Sequence, residues 1–138
     1  MPYRDIFDEL EPNERIHVLQ RAKECSWAPG DTLIQEGHVN RSLFVILDGD
    51  IQVLSSEQVI ADLGVGSIVG EMSFLSGESA CATVVAQTQV QALCIHHNTL
   101  RHFLEDQPHL GVKLYRSIAS TLAHRLRETT RAYSDACQ

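Results

Sequence analysis

The chain is short of positive charge where most of its structure should lie. Between positions 25 and 106 the only bases are Arg41 and Arg101, set against ten acids, a net of −8. The flanks differ: residues 1–24 carry a net of −2 and residues 107–138 a net of +3, which gives −7 overall. A centre so depleted in Lys and Arg lacks the basic surface that nucleic-acid phosphates require, and it is a poor field for a buried anion. Long apolar runs are missing as well. Hydrophobic residues make up 43% of the 138, yet no run approaches the roughly 18 apolar positions of a membrane span. The stretch Met1–Glu9 has no basic segment followed by an apolar one, so no secretory signal is read. The four cysteines (Cys25, Cys81, Cys94 and Cys137) are scattered, with no C-x-x-C. Reduced thiols in a cytoplasmic protein are expected, with Cys81 and Cys94 as small buried apolar residues.

Catalytic signatures are equally scarce. There is no H-E-x-x-H, no G-x-S-x-G and no P-loop lysine. Seven histidines include the adjacent pair His96-His97, but neighbours on a strand point to opposite faces and do not readily share a metal. These two and His38 are read as surface residues, with haem ligation by one of them left open. No enzyme and no metal site is expected.

What is present is a helix, then short strands, then helices, within the length of one domain. Pro12 suits a first helical position, and Ile16, Val18, Leu19 and Ala22 give an apolar stripe, so a helix is predicted to end near Lys23–Cys25. Strands are expected at Thr32–Gln35, Leu43–Asp48, Ile51–Ser55, Gln58–Leu63, Ala82–Ala86 and Val90–His96. Asp48-Gly49-Asp50 reads as a tight hairpin, and Gly64-Val65-Gly66 as another turn. So many short strands favour a barrel or sandwich, in which closure would protect the edges. After His97, Leu100, Phe103 and Leu104 mark a helix with Asn98 or Thr99 as its N-cap, and Pro108 breaks it and starts a longer one.

That last helix, about His109 to Arg131, has two apolar faces. Leu110, Leu114 and Ile118 suit packing on the barrel, while Val112, Tyr115, Ala119, Leu122 and Leu126 follow the 3–4 spacing of a two-stranded coiled coil. A parallel homodimer is expected, the alternative being one wide stripe buried in a monomer. Arg125, Arg127 and Arg131 read as a solvated face rather than a nucleic-acid patch.

The richest stretch is Gly70–Ala86, GEMSFLSGESACATVVA. Together with Gly30-Asp31-Thr32-Leu33-Ile34, Gly37, Leu43-Phe44-Val45-Ile46, Gly49, Leu63 and Gly66, it resembles the cyclic-nucleotide-binding domains of the catabolite-activator and kinase-regulatory-subunit superfamily, from Trp27 to about Thr130. The resemblance implies a mainly β fold with flanking α: a jelly-roll-like barrel of about eight strands, an N-terminal helix and two C-terminal helices. The segments would be 1–25 (helical), 26–97 (barrel, with a phosphate-binding cassette at 70–82) and 98–138 (helices). It also implies a ligand pocket at Gly70, Glu71, Met72, Ser73, Ser79, Ala80, Cys81, Ala82 and Thr83, with Thr129 and Thr130 facing an adenine-like base. A short helix after Gly70-Glu71 would aim backbone N–H groups at the phosphate, Glu71 would accept the ribose 2′-hydroxyl, and Ser79 or Thr83 could offer a hydroxyl. Met72, Phe74, Leu75 and Val84 are expected to be core.

The pattern departs from the family at one position. Where the cassette carries an Arg that pairs with the phosphate, this chain has Ala80. Losing a charge-assisted contact of roughly 1.5–5 kcal/mol implies affinity for cAMP or cGMP weaker on the order of 10²- to 10³-fold. Arg116 or Arg125 could supply a substitute cation. The sequence stops at Gln138, so no DNA-reading domain and no direct DNA binding is expected of it. Three readings follow: a regulatory sensor with a modified pocket, binding a cyclic nucleotide weakly or another small anion and signalling to an unknown effector protein; a dimerisation or interaction module; or a genuine cyclic-nucleotide binder using backbone donors.

Overall fold

A computed structural model of the chain describes the backbone of residues 10–137 and the side chains up to position 120 and at 123 and 127. Helix α1 (Pro12–Leu19) is followed by strands β1 (Lys23–Trp27), β2 (Thr32–Ile34), β3 (Ser42–Asp48), β4 (Ile51–Ser55), β5 (Gln58–Leu63) and β6 (Ile68–Val69). Then come α2 (Glu71–Ser76), β7 (Thr83–Ala86), β8 (Val90–His96), α3 (His97–Asp106) and α4 (Pro108–Cys137). The eight strands form two antiparallel four-stranded sheets, ordered β1-β8-β3-β6 and β2-β7-β4-β5. This is the expected jelly roll, built as two facing sheets rather than a closed barrel.

Several local expectations change. The first helix stops at Leu19, because Lys23–Trp27 pairs in register with Val90–Cys94 as β1 instead of extending the helix. Asp48-Gly49-Asp50 is not a hairpin: β3 and β4 belong to different sheets, and Gly49 (φ 97°) carries the chain across. A Cβ there would run into the Gln89 carbonyl. The true hairpin joins β4 and β5 through Ser56 and Glu57, both in the left-handed region (φ 52° and 67°). That conformation suits a two-residue turn, although it ordinarily selects Asn or Gly.

Two apolar clusters organise the molecule. One lies between the sheets and joins Phe44, Ile46 and Val69 to Ile34, Ile51 and Val84. The other seats the helices: Leu110, Leu114 and Ile118 of α4 are buried with Leu100, Phe103 and Leu104 of α3 and Leu43 and Ile95 of the first sheet. The face of α4 expected to pack on the strands does so. Glu14 of α1 clamps the assembly, taking a hydrogen bond from Lys113 Nζ at 2.9 Å. The N–H of Glu11 and the ammonium of Lys113 hold the Glu14 carboxyl below its usual range. No helix among the described residues is long and apolar enough to cross a membrane.

Cysteine placement is mixed. Cys94 is half-buried, and its thiol is pushed up to about 12 by burial and by the neighbouring Cys25 thiol, so it stays protonated. Cys81 is exposed, against expectation, although its neighbour Ala80 is buried.

Candidate functional site

Gly70 sets the geometry of the cassette. It lies at φ 92°, caps α2, and passes so close to Ser42 that a Cβ would collide with the Ser42 carbonyl oxygen. Only glycine meets both demands. The following Glu71 opens the expected short helix and is 2% exposed. Burial pushes its carboxyl up to about 7, opposed by its own backbone N–H. Gly77 (φ 72°) ends α2, and the chain returns through Ser79 to β7.

The return is pinned at Ala80. Its N–H donates to the His38 carbonyl at 2.9 Å, and its carbonyl accepts from the Gly37 N–H at 2.8 Å. The methyl group belongs to the cluster between the sheets, 8% exposed. Three residues on, Thr83 Oγ1 accepts from the Glu36 N–H at 3.0 Å and from Gln35 Nε2 at 3.3 Å, so its hydroxyl secures the loop rather than standing free. Ser79 and Cys81 are exposed and Ala82 is half-buried.

The helix itself shows only part of what the sequence suggests. Phe74 and Val84 are core, at 2% and 4% exposure, but Met72 and Leu75 are 43% and 41% exposed. A six-residue helix lying on the sheets can bury only one stripe, here Glu71, Ser73 and Phe74. Met72 and Leu75 fall on the other side.

Contacts tie α2 to the C-terminal helices, and composition alone gave no sign of them. His97 is not an exposed strand residue: it is the first residue of α3, 6% exposed, and its Nε2–H donates to the Gly70 carbonyl at 3.1 Å. Burial holds it below the usual imidazole range. The N-cap of α3 is His96, whose Nδ1 accepts from the Asn98 N–H, rather than Asn98 or Thr99. Arg101 Nη2 donates to the Phe74 carbonyl at 3.1 Å, and the Phe74 ring stacks on Tyr115 of α4 with centroids 6.0 Å apart.

Of the other predicted positions, Val112, Tyr115 and Ala119 lie on an exposed face of α4. Arg116 is exposed. The side chains of Leu122, Arg125, Leu126, Thr129 and Thr130 lie outside the described residues, so the structure places neither the expected base-reading pair nor the end of the seam.

The proton on Glu71 carries a prediction. Between about pH 4.5 and 7 an unfolded Glu ionises while the folded one keeps its proton, so stability falls as pH rises through that window. The span corresponds to roughly 3 kcal/mol. Glu71→Gln is expected to flatten this slope and stabilise the protein at pH 8. Urea unfolding at pH 5 and pH 8 checks it, and an unchanged slope in the variant would remove Glu71 as its source.

Comparisons with known proteins agree with this geometry. A family model described as a cyclic nucleotide-binding domain matches residues 24–107. The chain is 31% identical over 134 residues to the mouse cyclic nucleotide-gated channel beta-3, covering 93% of this chain and 19% of the channel. The chain thus spans about a fifth of that relative's length. Among solved structures, the Thermus thermophilus catabolite activator protein superposes with a TM-score of 0.82 at 22% identity, over 96% of this chain and 62% of that one. The N-terminal domain of a transcriptional regulator from Streptomyces coelicolor A3(2) gives 0.75 at 28% identity, over 92% and 91%. With the cassette's Gly70 turn, buried Glu71 and pinned return strand on an eight-stranded jelly roll, the chain belongs to the cyclic nucleotide-binding domain family.

Proposed function

We propose that this chain is a regulatory sensor module whose cyclic-nucleotide pocket is weakened at Ala80. The observation that carries this reading is the Ala80 methyl, buried between the sheets where a family cassette carries its phosphate-pairing Arg, on an otherwise intact loop. Glu71 would accept a ribose hydroxyl, and the backbone N–H groups of the cassette offer neutral donors to a phosphate. The ligand is cAMP, cGMP or another small anion, held weakly. Its arrival is transmitted through three contacts: His97 on Gly70, Arg101 on the Phe74 carbonyl, and Phe74 stacked on Tyr115. Movement of α2 therefore acts on α3 and α4, which pass it to an effector protein. The module is not an enzyme, works in the cytoplasm and does not itself bind DNA.

An NMR titration with millimolar cAMP tests the sensor reading. Amide shifts are expected across residues 70–83 and at the His97 and Tyr115 contacts. Silence at every one of these positions would favour an interaction module without a ligand.

The exposed face of α4 supports a parallel homodimer in this function. Val112 is 59% and Tyr115 42% exposed, at the spacing of a two-stranded seam. Val112→Glu places like charges across that seam and is expected to convert a dimer to a monomer in sedimentation. A monomeric wild-type protein, or an unchanged mass in the variant, would count against the dimer.

A further inference from the structure

The two bases of the −8 segment come together in the folded chain. Arg41 and Arg101 line one cleft of about 500 Å³, set between the cassette, the start of β3 and the start of α3. His96 and His97 share its wall, and so do Ser73 and Ser79. Glu71, Ala80, Cys81, Ala82 and Thr83 do not line it, so it adjoins the pocket that Ala80 weakens, sharing Ser73 and Ser79 with it, without coinciding with it.

Arg101 is oriented by neutral acceptors only: the Phe74 carbonyl at 3.1 Å and Asn98 Oδ1 at 3.2 Å, with its guanidinium 5.2 Å from the centre of the Phe74 ring. Among the described residues neither Arg41 nor Arg101 forms an ion pair, and the Arg41 guanidinium has no hydrogen-bond acceptor. Ser73 is 5% exposed and lines the cleft, and its hydroxyl has no partner among the described residues. Its Oγ is not sealed from solvent, so it is free to donate to a ligand oxygen in the cleft.

The donor set defines that acceptor. Guanidinium forks suit carboxylate and phosphate alike. Hydroxyls arriving beside two guanidiniums suit a tetrahedral group with several oxygens better than a planar one. The volume falls within the range of about 300–1,000 Å³ typical of small-molecule sites and exceeds what a bare anion fills. Glu78, the one acidic residue lining the cleft, would repel a bare anion but can accept from hydroxyls of a larger ligand. We propose that this cleft binds a phosphate monoester of a small hydroxylated molecule, with Arg41, Arg101 and Ser73 on the phosphate and Glu78 on the hydroxyls.

NMR titration of the whole chain with ribose 5-phosphate, inorganic phosphate and sulfate tests this. Ribose 5-phosphate is expected to shift the signals of Arg41, Ser73, Ser79, Asn98 and Arg101, and to bind more tightly than either inorganic ion. Arg41→Gln, at an exposed and unpartnered side chain, is expected to weaken it on the order of 10- to 100-fold without unfolding the protein. Three results would each overturn the assignment: no shifts at those residues, shifts confined to Ala80–Thr83, or sulfate binding as tightly as ribose 5-phosphate, an unselective anion site.

Discussion

Ala80→Arg is expected to tighten cyclic-nucleotide binding on the order of 10²- to 10³-fold. Two hydrogen bonds to Gly37 and His38 fix the Ala80 backbone, so a longer side chain starts from a defined place. It would extend into the space between the sheets, where solvent is excluded and a charge-assisted pair contributes roughly 1.5–3 kcal/mol or more. Neither Arg41 nor Arg101 duplicates this role, since both line the adjoining cleft, which Ala80 does not reach. The gain carries a cost in the free protein. Ala80 sits among apolar residues, and an unpaired guanidinium there destabilises the unliganded fold by roughly 3 kcal/mol. The variant should therefore melt earlier than wild type and regain stability with ligand. Calorimetric titration measures the affinity, with Ala80→Met as a control for side-chain volume. A folded Ala80→Arg that gains no more than Ala80→Met would show that the phosphate does not reach this position.

Gly70→Ala is expected to be the most damaging single-methyl change in the cassette. The left-handed backbone costs an L-residue about 1–2 kcal/mol, and the collision with the Ser42 carbonyl adds roughly 1–3 kcal/mol. Asn40 Nδ2, 3.0 Å from the added carbon, leaves little room to yield. Relief requires β6 and α2 to move away from β3, which would also draw the Gly70 carbonyl from His97. Gly77→Ala provides the contrast. It shares the left-handed backbone (φ 72°), but nothing lies within 4 Å of its added carbon, so only the backbone term applies. Urea unfolding of both variants should rank Gly70→Ala well below Gly77→Ala. Equal losses would mean that the approach to Ser42 is not limiting.

Much of the fold was legible because its signals are local. The six strands read from alternation and β-branching all occur, and so do the short helix after Gly70 and the break at Pro108. The strands missed were β1, whose Lys-Glu-Cys-Ser-Trp carries no strand pattern, and the two-residue β6. Gly49 was misread because a glycine turn between two strands looks alike in a hairpin and in a crossover, and only sheet pairing separates them. Ser56-Glu57 escaped notice because the sheet, not the residues, enforces its left-handed turn. Within the site, Glu71 and Ala80 were visible as positions in a pattern. Their burial was not: that of Ala80, for example, depends on Ile34, Phe44 and Val84 of β2, β3 and β7 gathering in one cluster with it. The cleft was the least visible feature. Arg41 and Arg101 stand sixty positions apart and meet only through the fold.

Calorimetric titration of the wild-type protein with cAMP and cGMP tests the central claim most directly. With Ala80 in place, the account predicts high-micromolar or weaker binding to both. Sub-micromolar affinity for either would contradict it, because the cassette would then hold a phosphate tightly without its Arg.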